Sequence, residues 1–253
     1  MTDQIFLLLA STGFLGGFID SIAGGGGLIT LPVLLSIGIP PHIALGTNKL
    51  AATFGSFNTS RIFIQRKILN PRLWKACILA AAIGALIGVV INYFLPAHFL
   101  RQFLPVLIIA AAVYVGIFKP DKNRDFNQFK NFKPPRTSSF LLGNLLGFYD
   151  GCFGPGTGSF WTCFVMAKYK MDLLSASGVA RVMNFISNFV ALLTFIILNN
   201  INYTIGIIMG LGLLAGSYVG AHSAIRFGAK FIRPVFLTVV IAIAIHILWQ
   251  EYL

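Results

Sequence analysis

Apolar runs of about 20 residues, the length that crosses the ~30 Å hydrocarbon core of a bilayer at 1.5 Å rise per residue, recur along this chain from end to end. No other feature constrains the fold as much. Of 253 residues, 57% are hydrophobic and 10% are charged, whereas an ordinary soluble domain is about a quarter charged. The chain therefore reads as an all-α, polytopic membrane protein, with nothing left over for a soluble domain.

Eight apolar regions are expected, near residues 5–37, 43–64, 73–94, 99–118, 139–167, 175–198, 203–222 and 234–250. The first is interrupted by Gly24-Gly25-Gly26-Gly27 and Pro32, the fifth by Gly154-Pro155-Gly156-Thr157-Gly158. Residues 5–22 have no basic residue ahead of them and read as a retained helix, not a cleaved signal peptide. The polar stretch 119–137 is the one long hydrophilic segment, and it separates a first membrane repeat (1–118) from a second (138–253). The two repeats look alike. Gly17-Phe18-Ile19-Asp20 precedes the first glycine run as Gly147-Phe148-Tyr149-Asp150 precedes the second, at an offset of 130. Thr47-Asn48-Lys49-Leu50 aligns with Val179-Ala180-Arg181-Val182 at an offset of 132.

The net charge of +12 comes from 19 Lys and Arg against 7 Asp and Glu. The basic residues fall in short loops, without a basic face interleaved with exposed aromatics, so they read as signals of orientation and not as a nucleic-acid surface. If all eight regions cross the bilayer, the two sides carry 11 and 6 basic residues. If regions one and five instead enter, break at their glycines and return, the tally is 16 to 1, with only Lys49 and Arg181 outside it. That arrangement puts the N-terminus outside and the linker in the cytoplasm, and it inverts one half relative to the other, a recurring plan of secondary transporters.

Chemistry concentrates in the same places. Of the acidic residues, only Asp20 and Asp150 lie inside apolar regions, and they are repeat mates; Lys49 and Arg181 are the intramembrane cations and are mates as well. Each such ion costs about 2.5–3.5 kcal/mol on insertion scales and needs a partner or a wet cavity. Two readings stand together: a central anion site with carboxylates tuning it, and structural ion pairs Asp20–Lys49 and Asp150–Arg181. The glycine breaks leave half-helices starting near residues 27 and 157, whose N-terminal amides at Gly25, Gly26, Gly27, Gly156 and Thr157 suit an anion, with Thr157 and Ser159 as possible hydroxyl donors. Close helix packing through small residues is the plainer explanation. Asn48 and Asn58 lie in region two; Asn184 and Asn188, four apart, share a helix face with Arg181. That stripe lines a path or joins helices. A nucleotide loop is excluded by the missing Gly-Lys-Ser/Thr. His42, His98, His222 and His246 have no ligand spacing, and Cys77, Cys152 and Cys163 read as small core residues. No catalytic grouping, metal site or cofactor is expected.

Taken in order, Gly17–Gly27, Gly46-Thr47-Asn48-Lys49-Leu50 and Gly147–Phe160 resemble the TauE/SafE sulfite exporter family (the 4-toluene sulfonate uptake permease family) across essentially the whole chain. The resemblance implies a bacterial plasma-membrane permease for a small anion such as sulfite, thiosulfate or an organosulfonate. Where the family often has Thr-Ala-Lys in its second half, this chain has Val179-Ala180-Arg181. The expected function is secondary transport by alternating access, with the bilayer and a small anion as partners and protons or sodium as candidate coupling ions. Asp20 or Asp150 is the candidate proton carrier. An anion channel and a non-transporting membrane subunit or assembly factor are the alternatives. Oligomeric state and direction are not legible.

Overall fold

The computed structural model describes residues 3–104, 106, 110, 132–227 and 234. Most of the expected fourth region, the linker at 119–131 and nearly all of the eighth region, with His246, lie outside the described residues. Among the described residues every regular element is helical. In the first half these are α1 (Asp3–Ala23), α2 (Gly27–Ser36), α3 (Pro41–Gln65) and α4 (Lys75–Phe94), the last preceded by a 3-10 turn at Pro71–Trp74. In the second they are α5 (Arg136–Cys152), α6 (Thr157–Tyr169), α7 (Leu173–Ile197) and α8 (Tyr203–Phe227). The repeat offsets carry into the helix starts: α6 begins 130 positions after α2 and α7 begins 132 after α3. Four stretches, Asp3–Ala23, Pro71–Phe94, Leu173–Ile197 and Tyr203–Phe227, are long and apolar enough to cross a membrane.

Local chemistry explains the boundaries. Pro41 and Pro71 stand at helix starts, where the missing N–H is harmless. Asp172 caps α7 by accepting from the amides of Leu174 and Ser175 at 2.9 and 3.0 Å. Gly24 and Gly154, at matching repeat positions, have φ of +88° and +91°, which a side chain disfavours; the chain turns sharply there. Gly16 on α1 then lies against Thr30 on α2. Likewise the Tyr169 hydroxyl at the end of α6 sits 3.1 Å from Ser138 at the start of α5, and Tyr149 packs on Phe160. Each glycine-broken region is an antiparallel helical hairpin.

Contacts across the bundle establish its directions. α1 runs parallel to α8, with Gly13 and Gly17 on the Met209 and Leu213 backbone and Gly212 and Gly216 on that of Phe14. α5 runs parallel to α4: Gly143, Gly147 and Gly151 meet Ala81 and Ala85, and Gly84 and Gly88 meet Phe148. Glycines four apart let these helices approach backbone to backbone. α3 is parallel to α8, since Asn202 donates to Thr47 and Asn58 to Ser217. It is antiparallel to α4, where His42 meets Asn92 at 3.2 Å, and to α7, where Ser60 donates to the Arg181 carbonyl at 2.8 Å. Each of these eight helices therefore runs opposite to its repeat mate, and each half packs its first helix against the fourth helix of the other. Leu79, Ile83, Leu86, Leu141, Leu145 and Leu211 face outward, as lipid contact requires, while small residues and the polar groups turn inward.

Candidate functional site

The two hairpin tips meet in the middle of the bundle. Ser159 at the second tip donates its amide to the Gly24 carbonyl at 3.2 Å and its hydroxyl to the Ala23 carbonyl at 2.9 Å. Lys49 and Arg181 are each the ninth residue of their helix, α3 and α7. Because those helices are antiparallel, the two cations sit at different heights, and each is engaged by the hairpin of the opposite half.

Lys49, 1% exposed, places Nζ 2.6 Å from Asp150 Oδ1 and 3.0 Å from Asn188 Oδ1. Ser187 donates to the other carboxylate oxygen of Asp150. Arg181, fully buried, donates from Nη1 to the Asp20 carbonyl, from Nη2 to the Gly158 carbonyl at 3.4 Å and from Nε to the Ser177 carbonyl at 3.4 Å. It binds the carbonyl end of α1 and the second tip together. The Asp20 carboxylate accepts the Gly26 amide at 3.2 Å. These pairings correct the within-half pairs Asp20–Lys49 and Asp150–Arg181. Repeat mates at similar sequence distances, 29 and 31 residues, invite pairing inside each half, but inversion carries each hairpin tip to the other half's long helix.

A small cavity of about 20 Å³ opens beside the tips, lined by Asp20, Asn48, Lys49, Asp150, Asn184 and Asn188 together with both half-helix starts, Gly26 and Gly27 on one side and Gly156 and Thr157 on the other. Thr30 donates to Asn48 Oδ1 at 2.6 Å, which leaves the Asn48 amide nitrogen toward Gly27. The side-chain charges of Asp20, Lys49, Asp150 and Arg181 sum to zero. The residual positive field comes from the two helix N-termini, each worth roughly half a charge.

Not every expected site residue reaches this cavity. Arg181, Gly25 and Ser159 serve the tips and do not line it, so the stripe Arg181–Asn184–Asn188 divides: the guanidinium turns to the tips and the amides to the cavity. The hydroxyls of Thr157 and Ser159 both donate to backbone carbonyls, unlike the free donors expected of them. Asn58 joins α3 to α8. Sequence reasoning did not single out Ser187, Thr30, Ala52 or Leu213. No signal marks the last two, although Ala52 is the repeat mate of Asn184. The glycines four apart on α1, α4, α5 and α8 were missed too, and their spacing alone could have revealed them. Among the described residues no group of three His, Cys, Asp or Glu could hold a metal, and Cys77, Cys152 and Cys163 are free and buried.

Comparison with known proteins agrees with this architecture. Residues 9–247 match the family described as "Sulfite exporter TauE/SafE". A Sinorhizobium protein named "Probable membrane transporter protein ORF9" is 40% identical over 251 residues, covering 98% of this chain and 95% of its own. Proteins named as probable membrane transporters in Escherichia coli K12 (34% identical, 94% of this chain and 87% of that one) and Haemophilus influenzae (35% identical, 91% and 89%) are similar over almost the same extent. No solved structure matches the chain.

Proposed function

We propose a function from one premise: the chain belongs to the sulfite exporter TauE/SafE family and is a multi-pass membrane transporter. It carries a small anion, of the sulfite, thiosulfate or organosulfonate class, across the bacterial inner membrane as a permease, without catalysing a reaction on it. Two membrane repeats, 1–118 and 138–253, joined by a cytoplasmic linker at 119–137, work as inverted halves in alternating access. The observation that carries this reading is the convergence of two half-helix N-termini, one from each half, on the cavity that Lys49 borders.

The orientation follows from the helix directions. Arg66, Lys67, Arg72, Lys75, Arg136, Lys168, Lys170 and Arg226 lie at one end of the bundle and Arg101 toward the other, so the basic end is cytoplasmic. Lys49 is the direct counter-charge to the anion. Asn48, Asn184 and Asn188, with the Gly27 amide at the start of α2 and the positive end of α6, receive its oxygens. Arg181, Gly25 and Ser159 hold the tips that present those amides. A cavity this small has room for about one water, so loading requires the tips to part.

The test is uptake into proteoliposomes. Wild type should take up at least one of sulfite, thiosulfate, methanesulfonate or sulfoacetate with saturation, and Lys49→Gln should lower transport at subsaturating anion by about a hundredfold. A conductance that does not saturate would make the protein a channel. No flux of any of these anions from well-folded protein would end the reading.

A further inference from the structure

We propose that Asp150 is the proton site of this carrier, and that its carboxylate occupies the substrate's place on Lys49 whenever no anion is bound. The inference rests on the transport reading above and adds the coupling ion and the residue that takes it.

The two intramembrane carboxylates have diverged. Asp150 lies 2.6 Å from the one cation that borders the cavity, and Ser187 holds its second oxygen. Asp20 instead accepts the amide of its own hairpin at Gly26, and Arg181 reaches its backbone oxygen. Lys49 has three N–H donors, and Asp150 and Asn188 take two. One N–H is left over, but an anion arriving at Lys49 meets a charge already neutralised by a carboxylate at 2.6 Å. The other titratable groups around Asp150 are Asp20 on α1, Arg181 on α7, and Tyr149 and Cys152 on α5. The Tyr149 hydroxyl donates to the Pro155 carbonyl, and Arg181 stays on the tips, so none of these stands between Asp150 and Lys49.

Charge balance then dictates the cycle. Empty, the Lys49 ammonium and the Asp150 carboxylate sum to zero. On loading, a proton from water bonds to an Asp150 oxygen, the Lys49–Asp150 contact opens, and a monovalent anion takes the vacated N–H. Ammonium, anion and neutral acid again sum to zero. Release reverses both steps, so one proton travels with each monovalent anion. Without Asp150 the loaded carrier is still balanced, but the empty one must reorient with a bare ammonium in the membrane interior, which is strongly unfavourable.

Reconstituted protein, given whichever of the monovalent anions methanesulfonate, ethanesulfonate or isethionate it transports, tests this with an internal pH dye and two flux modes. Wild type should acidify the lumen as the anion enters, and its net uptake should rise as external pH falls. Asp150→Asn should retain anion-for-anion exchange while net uptake drops about a hundredfold and loses its pH dependence. Asp172→Asn, at the α7 cap outside the cavity lining, should keep both flux and coupling, and Asp20→Asn, whatever its flux, should move as many protons per anion as wild type. Net uptake by Asp150→Asn equal to wild type overturns the proposal, as does wild-type uptake without proton entry, a result that stands even if the variant fails to fold. Failure of wild type to move any of these anions or sulfite, thiosulfate or sulfoacetate removes the transport reading itself, a separate outcome.

Discussion

Three glycines share nearly the same left-handed backbone: Gly38 at φ +84°, Gly24 at +88° and Gly154 at +91°. Alanine at any of them incurs the same torsional penalty, about 1–2 kcal/mol, partly offset by about 0.4–1 kcal/mol from the stiffer unfolded chain. They differ in surroundings. A Cβ at Gly38 meets nothing within 4 Å; at Gly154 its nearest neighbour is the movable Lys49 Nζ at 3.2 Å. At Gly24 it lands 2.5 Å from the Ser159 nitrogen and 2.6 Å from Arg181 Nη2, against the Gly158 backbone. Rigid overpacking adds about 1–3 kcal/mol. Gly38→Ala and Gly154→Ala should therefore cost about 1 kcal/mol each and Gly24→Ala about 2–4. In a chain of this size 1 kcal/mol shifts Tm by roughly 2–4 °C, so Gly24→Ala should melt several degrees below the other two in one detergent. Gly154→Ala, as stable as Gly38→Ala, should nevertheless lose transport, because its methyl touches the Lys49 ammonium. If Gly24→Ala melts with Gly38→Ala, the hairpin tips do not meet as described.

Other substitutions probe the remaining supports. Gly147→Leu puts a side chain where a Cβ alone would stand 2.8 Å from the Ala81 Cα; it should wedge α5 from α4 and abolish a monodisperse peak in size-exclusion chromatography. Asp172→Ala removes both cap bonds of α7 and should cost about 1 kcal/mol in thermal unfolding, while Asp172→Asn should be nearly neutral. Arg181→Gln removes the guanidinium bonds to the Asp20 and Gly158 carbonyls, which keep the Gly24 amide and the Thr162 hydroxyl, and should destabilise by about 1.5–3 kcal/mol, yet leave the KM of the surviving folded protein close to wild type. A KM raised tenfold would place Arg181 on the anion.

The hairpins were legible because four consecutive glycines, and Gly-Pro-Gly in the second half, break a helix wherever they fall, and because the basic loops gather on one side only if the chain doubles back. Much of the cavity lining was legible because a charged or amide group in hydrocarbon needs a reason: Asp20, Lys49, Asp150, Asn184 and Asn188 all border it. The partners were not. Which carboxylate Lys49 meets depends on how an inverted half docks, and sequence spacing holds no information on that. Arg181 misled for a related reason: its length and charge suit an oxyanion, but they equally suit the second lone pairs of two backbone carbonyls, Asp20 near the end of α1 and Gly158 at the start of α6. The division of labour between mates that look equivalent emerges only from three-dimensional contacts.

The seating of α1 on α8 bears on how the molecule is made. α5 finds its glycine groove on α4, the last described helix before it, so that interface can close while the second half is still being synthesised. The Gly13 and Gly17 surface must instead wait for Met209 and Leu213, about 200 residues later. At roughly 5–20 residues per second the first hairpin spends on the order of 10–40 s in the bilayer with its glycine face bare. Whatever lipid or insertion machinery shelters that face during the interval is as much a condition of folding as the sequence of α8 itself.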